Sequence, residues 1–588
     1  MGTNSTRGRS APRTVAVTVS APRAVRIITD VAAVDRPFDY LVTEKTAQVA
    51  IGDRVRVDFN NRSVRGWVID EVEVDRELKP LTKWLGYGPP PSLLALLNWA
   101  SVRWYSPVSR FLISTSPKRL ITSLPVAPAK NPLSAAASQS ALRITPGVIQ
   151  VSPTTDPLAL ILGAYEDSLS REGSLLVLVP TESWASRLRG RLEQRGCAVA
   201  SGENEWDRMR SGWPVVVGAR GTALAPVPKV SGAVIIDADD ESYRSEAAPT
   251  WDALTMLRER CARDNAPLWA TSCLPSPVLV NSSPFEKTDD LTTGWPSIQI
   301  IDRRNSDPRD GVLSRESVDA AHKALSSDEP VAVVVVLQRL GTGKLFVCQK
   351  CGELARCPKC SQGEEEVGEF LSCADRHEMR GNFCLHCGAT NLKRVRTGVT
   401  TLARDVAAQL SQDVTEITGA SDLEGSLHRV VVGTEAVWQR VRHCGVVIFV
   451  DFDQYLLAPR DSARRSALSA VAKAGRLVGS RKDAKGEVVL QTRRSQDIVL
   501  RSLQSLDFTE LMKEDDLDSQ VLKLPPYGAV ASVSGEGAQV FIDGFSDPRV
   551  TIHQSGDTFE IRSESFDVLC NALKEVERPS GKFRVAVK

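Results

Sequence analysis

Long apolar runs are absent from this sequence, and their absence excludes a membrane-spanning protein. The longest, residues 331–337, is the length of a single strand, whereas a membrane helix needs about 20 apolar residues. The N-terminus also lacks the uninterrupted hydrophobic segment and cleavage pattern of a signal peptide. We therefore expect a cytoplasmic protein that makes no membrane contact.

A strong excess of either charge is absent as well. The chain has 73 Lys and Arg against 72 Asp and Glu, a net charge of +1, which argues neither for nor against nucleic-acid binding. Acidic residues are missing from the first 26 positions, which carry Arg7, Arg9, Arg13, Arg23 and Arg26. A basic arm beside DNA is one interpretation. The Gly, Ser and Pro content favours a disordered tail over residues 1–22.

The length of the chain indicates several domains. Single hydrophobic cores stop growing at about 250–300 residues, and this chain has 588. Short alternating segments between turn residues, from 25 to 68, predict a small β domain. Residues 92–105 have helical spacing with Ser92 as the expected N-cap, and residues 126–141 are typical of a linker.

A different pattern begins at residue 157, where helical segments alternate with continuous apolar runs. Residues 174–180 and 446–453 are examples of such runs. Runs of this kind are typical of parallel strands that are buried on both faces of a sheet. The pattern predicts two α/β lobes after the small β domain, followed by an α+β segment at the C-terminus.

Cysteine is concentrated in one place. Seven of the twelve cysteines lie between Cys348 and Cys387, as three CxxC pairs and an isolated Cys373. In a cytosolic protein such pairs indicate metal more often than disulfides, because both thiolates of a pair can reach one zinc ion at about 2.3 Å. Incidental buried cysteines are the alternative, which three pairs in so short a stretch make improbable. The cluster predicts structural zinc within the second lobe.

Seven cysteines are one ligand short of two four-ligand zinc sites. Where a CxxC pair would place a second cysteine after Cys373, the sequence has Arg376, and His377 follows it. We expect His377 to complete the second tetrahedron; the alternative is an ordinary surface histidine. His386, inside a CxxC pair, is interpreted as a spacer. No coordination position stays open, so no catalytic zinc is expected.

The order of these features resembles the bacterial PriA family of primosomal replication-restart helicases, over about residues 25–535. The similar segments are DRPFDY (35–40), GDRVRVDF (52–59), LNWASVRWYSP (97–107), LQRLG (337–341), CQKCGELARCPKC (348–360) and LPPYG (524–528). The zinc block together with FDY and GDRVRV is specific, whereas neither alone would be.

The resemblance implies a zinc pairing, because that family places its outermost CxxC motifs on one ion and the inner two on the other. The implied first site is Cys348, Cys351, Cys384 and Cys387. The implied second site is Cys357, Cys360, Cys373 and, in place of a further cysteine, His377.

The resemblance also implies a pocket for the 3′ end of a nascent DNA strand, at Phe38, Asp39, Asn60 and Lys79. Asn60 stands where the family usually has glycine. An aromatic face can stack on the terminal base, a carboxylate can accept from the 3′-hydroxyl and a lysine can meet phosphate. Without the resemblance, Phe38 in a β core and Asp39 in a turn would be the favoured interpretation.

An ATP-driven motor is a further implication, but three of its parts are altered here. An active member needs GxxxxGK[ST] to cradle phosphates and hold magnesium; residues 151–157 read VSPTTDP, without glycine or lysine. The acidic DEEH motif becomes DADD from Asp237, and the arginine-finger motif is reduced to AVAKAGRL, which keeps Arg476. The only G-x-G-K, at 341–344, lies in the wrong lobe.

We expect no ATP or Mg²⁺ to be used, as in the degenerate PriA-like proteins of high-GC Gram-positive bacteria that this sequence resembles.

The predicted domains are a disordered tail (1–22), a 3′-DNA-binding domain (23–90), a winged-helix-like domain and linker (91–148), helicase lobe 1 (149–300), lobe 2 (301–345 and 395–505), a double zinc-binding insertion (346–394) and a C-terminal α+β domain (506–588).

Three functions are open at this point. The favoured one is a nucleoid-associated factor without helicase activity that recognises stalled or D-loop-like forks and assembles the primosome. Its expected partners are forked and single-stranded DNA, primosome and helicase-loading proteins, and single-stranded DNA-binding protein, with two Zn²⁺ as cofactors. The alternatives are an active ATP-dependent 3′–5′ DNA helicase and a zinc-ribbon interaction protein without DNA activity.

Overall fold

The computed structural model describes the chain apart from residues 1–22, 32–35, 75, 282–283, 305, 307–310, 339–345, 360–362, 368–369, 374–376, 395–398, 420, 422–425, 459–461, 484–485 and 580–582. The predicted disordered tail and the G-x-G-K stretch at 341–344 lie outside the described residues. Those residues divide into two compact units, one within 1–94 and 107–123 and the other within 95–106 and 124–588.

The first unit is built on an antiparallel sheet. Its strands are β1 (Ala24–Thr29), β2 (Phe38–Leu41), β3 (Arg54–Phe59), β4 (Arg62–Val72) and β5 (Lys83–Gly86), in the spatial order β2-β1-β4-β3-β5. Val55 and Val57 are buried and Arg56 is exposed, so the alternation that predicted the strands sets the buried face. Asn60 and Asn61 form the two-residue β3–β4 turn with φ of 49° and 59°, the left-handed conformations that a tight hairpin requires.

A winged helix does not form in residues 91–148, where the sequence predicted one. This stretch contains α1 (Pro91–Arg103), α2 (Val108–Thr115) and α3 (Ala135–Gln139), and no strand lies between Gly86 and Gly147, a segment that is described throughout. A wing is a β-hairpin, and the prolines of the extended segment 116–134 lack the N–H donors that a hairpin needs. The helix also begins at Pro91 rather than after Ser92, because proline suits a first helical position.

The linker is anchored on the first lobe through Lys130. Its ammonium group donates to the carbonyl oxygens of Ser168 at 2.8 Å and Arg171 at 3.0 Å, and to the Ser231 hydroxyl at 2.8 Å. Burial lowers the pKa of Lys130 to about 8. The linker is therefore held at a defined place on the lobe.

The first lobe is a seven-stranded parallel sheet in the order β12-β6-β11-β10-β7-β9-β8. The strands are β6 (Gly147–Gln150), β7 (Ser174–Leu178), β8 (Val199–Ser201), β9 (Val215–Gly218), β10 (Val230–Ile235), β11 (Leu268–Ser272) and β12 (Phe285–Lys287). The helices are α4 (Pro157–Ser168), α5 (Glu182–Glu193), α6 (Trp206–Arg210), α7 (Ala253–Asp264) and α8 (Pro277–Val280). Every residue of β7 is buried, which explains its continuous apolar sequence.

The second lobe is a six-stranded parallel sheet in the order β13-β23-β22-β14-β21-β20. Its strands are β13 (Ser297–Asp302), β14 (Val333–Val336), β20 (Val414–Ile417), β21 (Val430–Gly433), β22 (Val446–Phe449) and β23 (Glu487–Thr492). Its helices are α9 (Arg315–Leu325), α10 (Val399–Leu410), α11 (Val437–Arg440), α12 (Asp453–Leu456), α13 (Ala463–Val478) and α14 (Ile498–Ser505).

Between β14 and α10 lies the cysteine-rich insertion. It contains β15 (Phe346–Cys348), β16 (Glu365–Val367), β17 (Phe370–Ser372), β18 (Arg380–Gly381) and β19 (Leu392–Arg394). Because β15 pairs with β19, the chain enters and leaves the insertion side by side. The predicted pair of α/β lobes with a cysteine cluster in the second is confirmed.

The C-terminal part is an antiparallel sheet with helices. It comprises α15 (Thr509–Val521), β24 (Ala529–Gly535), α16 (Ala538–Asp543), β25 (Val550–Ser555), β26 (Thr558–Ser563), α17 (Phe566–Glu575) and β27 (Phe583–Val587), with strand order β25-β26-β24-β27. Within the described residues, no helix combines the length and the apolar character that crossing a bilayer requires.

Candidate DNA pocket, zinc centres and interlobe cleft

The residues predicted to hold a DNA 3′ end line one pocket of the first unit, with a volume of about 520 Å³. Strand β2 carries Phe38 and Asp39, the β3–β4 turn carries Asn60, and Lys79 precedes β5. The structure thus brings all four side chains together, although they come from three separate segments. Asp35, which belongs to the same sequence motif, lies outside the described residues.

Phe38 serves both the pocket and the domain core. Its ring meets that of Phe59 edge to face, with centroids 4.9 Å apart, and it packs against the buried cluster of the sheet while staying half-exposed. Aromatic pairs of this geometry fix ring orientation. One side of the ring is therefore held by the core while the ring also lines the pocket.

Asp39 lies between two arginines that the sequence did not single out. Its carboxylate accepts from Arg26 at 2.9 Å and from Arg76 at 2.8 Å, and Arg26 faces it through the pairing of β1 with β2. Lys79 lies 4.0 Å from Asp58, another pocket residue. The pocket combines three cations with three carboxylates, Asp39, Asp58 and Glu77. The Asp39 carboxylate, fixed between two arginines, is suited to a hydroxyl beside phosphate.

The predicted first zinc site is assembled in the structure. The sulfurs of Cys348, Cys351, Cys384 and Cys387 all lie within 4.8 Å of one another, and the Cys348–Cys387 and Cys351–Cys384 separations are 3.5 and 3.6 Å. Tetrahedral zinc with bonds of about 2.3 Å places sulfurs about 3.8 Å apart. The four thiolates therefore fit a closed zinc site without rearrangement.

Both cysteine pairs of this site lie on the same type of turn. Gly352 N–H donates to the Cys348 carbonyl and Gly388 N–H to the Cys384 carbonyl, each at 2.9 Å. The two glycines have φ of 73° and 71°, backbone angles that residues with a side chain rarely adopt. A glycine directly after each CxxC pair thus lets the backbone close a turn that leaves both sulfurs of the pair on the same side.

The second predicted site is partly described. Cys357, Cys373 and His377 offer ligand atoms within 4.8 Å of one another, and Nδ1 of His377 lies 3.6 Å from the Cys373 sulfur. Cys360, the fourth predicted ligand, lies outside the described residues, as does Arg376. The structure thus brings His377 to the two described cysteines, and an S₃N donor set of this kind is one that zinc accepts.

The side chains of loop 151–157, where the sequence resemblance placed a phosphate-binding loop, make hydrogen bonds within the protein. Ser152 and Thr155 donate their hydroxyls to Asp290 at 3.0 and 2.8 Å. Asp156 caps α4 and pairs with Arg191 at 2.9 Å. The side chains of this loop are thereby committed to protein partners.

Arg476, on α13 of the second lobe, reaches across the cleft to this loop. Its guanidinium forms a two-pronged ion pair with Asp237 of the first lobe, with both N–O distances 2.7 Å, and donates to the Pro153 carbonyl at 3.0 Å. Burial acts to lower the pKa of Arg476, but the charge of Asp237 and its neighbours raises it. The arginine therefore stays charged where a motor would hold phosphate and magnesium.

A second ion pair crosses the cleft one helical turn away. Lys473 lies 2.8 Å from Asp240, whose side chain is only 4% exposed, and Ser466 donates to Glu241 at 2.6 Å. The neighbouring Asp239 accepts from serines of its own lobe, and burial raises its pKa. The sequence singled out Asp237 and Arg476 but not the ion pair between them, and it gave no sign of Lys473. Both contacts link residues more than 200 positions apart, which no local pattern reveals.

The remaining cleft has a volume of about 880 Å³ and is lined by residues of both lobes. Four of the five residues from Asp237 to Glu241 are acidic, and all four line it. Two of them are neutralised by Lys473 and Arg476. A polyanion finds no net positive surface there.

Comparisons with known proteins agree with the sequence resemblance. Residues 26–117 match the family model described as the 3′DNA-binding domain of PriA. The chain is 24% identical over 406 residues to the replication restart protein PriA of Thermotoga maritima, covering 63% of this chain and 54% of the relative. It is 24% identical over 360 residues to PriA of Haemophilus influenzae, covering 56% and 48%. The resemblance to the PriA family is confirmed, and the chain spans about half the length of the curated relatives it matches.

Similar solved structures are helicases of low identity. The structure of the Mycobacterium smegmatis helicase Lhr bound to single-stranded DNA and AMP-PNP has a TM-score of 0.35 at 11% identity, covering 65% of this chain and 48% of that one. The structure of RecG bound to a three-way DNA junction has a TM-score of 0.36 at 9% identity, covering 63% and 43%.

The zinc assignment predicts two zinc ions per chain. His377→Ala should release one of them, because three cysteines alone leave a tetrahedral site incomplete. His386→Ala is the matched control, since His386 is equally exposed and lies in the same insertion, and it should release none. Elemental analysis of purified protein measures both. Equal metal loss from the two variants would contradict the ligand assignment.

The Lys473–Asp240 pair predicts that removing the lysine alone destabilises the protein more than replacing both residues. Lys473→Met should lower the free energy of unfolding by about 3–5 kcal/mol, because it leaves a buried carboxylate unpaired. Adding Asp240→Asn should recover most of the loss, since the amide keeps an acceptor for the Ser242 N–H that Asp240 now caps. Chemical denaturation followed by fluorescence tests this. A double variant as unstable as the single one would show that the charge is not responsible.

Proposed function

We propose that this chain binds branched DNA in replication restart, that it holds the 3′ end of a nascent strand in the pocket around Asp39, and that its two lobes act as a scaffold rather than an ATP-driven motor. The observation that supports this most is the convergence of the expected residues in one pocket of the matched domain. The 3′DNA-binding family model covers residues 26–117, and the four residues carried over from that family lie in one pocket of the same unit.

The pocket chemistry suits a strand terminus. In the proposed complex the terminal base lies against Phe38, and the 3′-hydroxyl donates to Asp39. Arg26 and Arg76 fix the Asp39 carboxylate and place positive charge beside the position of the last phosphate. A terminal hydroxyl can approach this carboxylate, whereas a 3′-phosphate would bring like charges together.

The scaffold role of the lobes is supported by what the motor residues do. The loop 151–157 has no lysine or glycine for a triphosphate, and its hydroxyls are bonded to Asp290. Asp237, which would carry magnesium in a motor, is paired with Arg476. A nucleotide would have to displace that arginine before a metal could reach the carboxylate.

The zinc insertion gives the scaffold a further surface. We infer that it contacts single-stranded DNA or the primosome and helicase-loading proteins that restart requires, single-stranded DNA-binding protein included. The closed donor sets favour a structural role for both ions, so the insertion contributes shape and surface rather than chemistry.

A fork with a recessed 3′ end tests the DNA proposal. Phe38→Ala and Asp39→Asn should each weaken binding about tenfold, because stacking on one base contributes about 1–3 kcal/mol. The same fork ending in a 3′-phosphate should bind the unaltered protein as weakly as the variants bind the hydroxyl form. Fluorescence anisotropy at fixed salt measures all of these. Equal affinity for the two ends would remove the proposed terminus recognition.

Nucleotide turnover tests the scaffold proposal. Purified protein should show no ATP hydrolysis above a no-protein blank, with or without single-stranded DNA, and no change in the fluorescence of a labelled ATP analogue. Turnover stimulated by single-stranded DNA, and abolished by Asp237→Asn, would instead establish the active-helicase alternative. Zinc content with no DNA binding of any kind would favour an interaction protein.

A further inference from the structure

A row of positive charge crosses the sheet of the first unit beside the DNA pocket. The register pairs Arg56 of β3 with Arg65 of β4 on one side and with Lys83 of β5 on the other. All three are exposed. Directly paired residues project from the same face of a sheet, so three cations of three adjacent strands lie side by side.

This arrangement costs stability unless something offsets it, because like charges opposite each other in a sheet repel. Asp30 offsets one of them, with its carboxylate 3.0 Å from Arg65. Arg65 also repels Arg54, which lies two residues before Arg56 on β3. Burial lowers the pKa of Arg54, and the charge of Arg65 lowers it further. Among the ion pairs of the described residues, none involves Arg56 or Lys83.

Protection of a sheet edge does not explain the row. Charged residues on an edge strand do discourage pairing with another chain, and Lys83 on the edge strand β5 fits that role. Arg56 does not, because β3 is paired on both sides. Neither does Arg65, since β4 is also an interior strand.

The row continues the pocket along strand β3. Asp58, which lines the pocket, is two residues from Arg56 on the same face, a distance of about 7 Å along an extended strand. In the opposite direction the buried Arg54 donates to the carbonyls of Pro117 and Arg119. That contact holds the exposed segment containing Lys118 and Arg119 at the far end of the row.

We propose that Arg56, Arg65 and Lys83 bind the phosphates of the DNA strand whose 3′ end occupies the pocket. Phosphates of one strand follow each other every 3.4 Å of duplex axis, so about 7 Å separates the row from the pocket by about two nucleotides. The pocket reads the terminus, while the row grips the strand behind it without reading sequence. This inference rests on the proposed function of the pocket.

The test compares two double variants of the full chain on a fork with a recessed 3′-hydroxyl. Arg56→Gln with Lys83→Gln removes two charges of the row. Lys45→Gln with Arg110→Gln removes two exposed charges of the same unit that lie on none of its strands. Anisotropy titrations from 50 to 300 mM salt give the affinity and its salt dependence.

The row variant should bind at least tenfold more weakly at 150 mM salt. Its slope of log K against log salt should be shallower by about 1.8, since each lost phosphate contact removes about 0.9. Its preference for a 3′-hydroxyl over a 3′-phosphate should persist, because the pocket is intact. The control variant should keep the slope of log K against log salt within about 0.5 of that of the unaltered protein. The thermal midpoint of the row variant should be unchanged or higher, because the substitutions remove repulsion between the paired cations.

The outcomes separate this inference from the function on which it rests. A row variant with the slope of the unaltered protein, together with weak binding by Phe38→Ala, would overturn the row and keep the pocket. Equal losses of slope in both double variants would also overturn it, because the effect would then follow net charge. No preference for the hydroxyl end in any form of the protein would remove the pocket itself.

Discussion

The arrangement of the two lobes depends on two ion pairs that cross the cleft between them. Asp237 and Asp240 are 12% and 4% exposed and belong to one lobe, while their partners Arg476 and Lys473 come from one helix of the other. Burying two carboxylates without cations would cost several kcal/mol each. If the lobes parted, water would solvate all four groups, so the pairs add little net stability. What they contribute is specificity, because this way of packing the lobes gives both Asp237 and Asp240 a cation partner.

The proposed scaffold role requires that the two lobes fold without the residues of a motor. Lobe stability comes from continuous buried strands such as β7 and β14, which make no use of a phosphate loop. The residues of loop 151–157 make helix-capping and hydroxyl contacts within the protein. In a motor, nucleotide links the lobes in one phase of a cycle. Here the Arg476 guanidinium links the lobes without a nucleotide.

Sequence reasoning succeeded where the signal was local. CxxC spacing identified four cysteines that lie together, because each pair lies on one turn. Continuous apolar runs predicted the parallel strands, because burial on both faces leaves that pattern. It failed for the winged helix, since residues 92–105 specify a helix but carry no information about its neighbours. The arginines beside Asp39 and the partner of Asp240 were missed for a related reason. Those contacts follow from strand register and lobe packing, which no short pattern encodes.

The near-zero net charge of the chain conceals an uneven distribution of charge between the first unit and the cleft. At the pocket, two arginines hold the Asp39 carboxylate and Lys79 lies beside Asp58, and the row of exposed cations on β3, β4 and β5 adjoins it. In the cleft, four acidic residues lie within five positions, and the two cations opposite them are already paired. In the proposed function a DNA strand binds the first unit, and the groove between the lobes offers it no net positive surface. This charge distribution supports the proposed scaffold role, because a translocating motor must grip the strand with the same lobes that close on nucleotide.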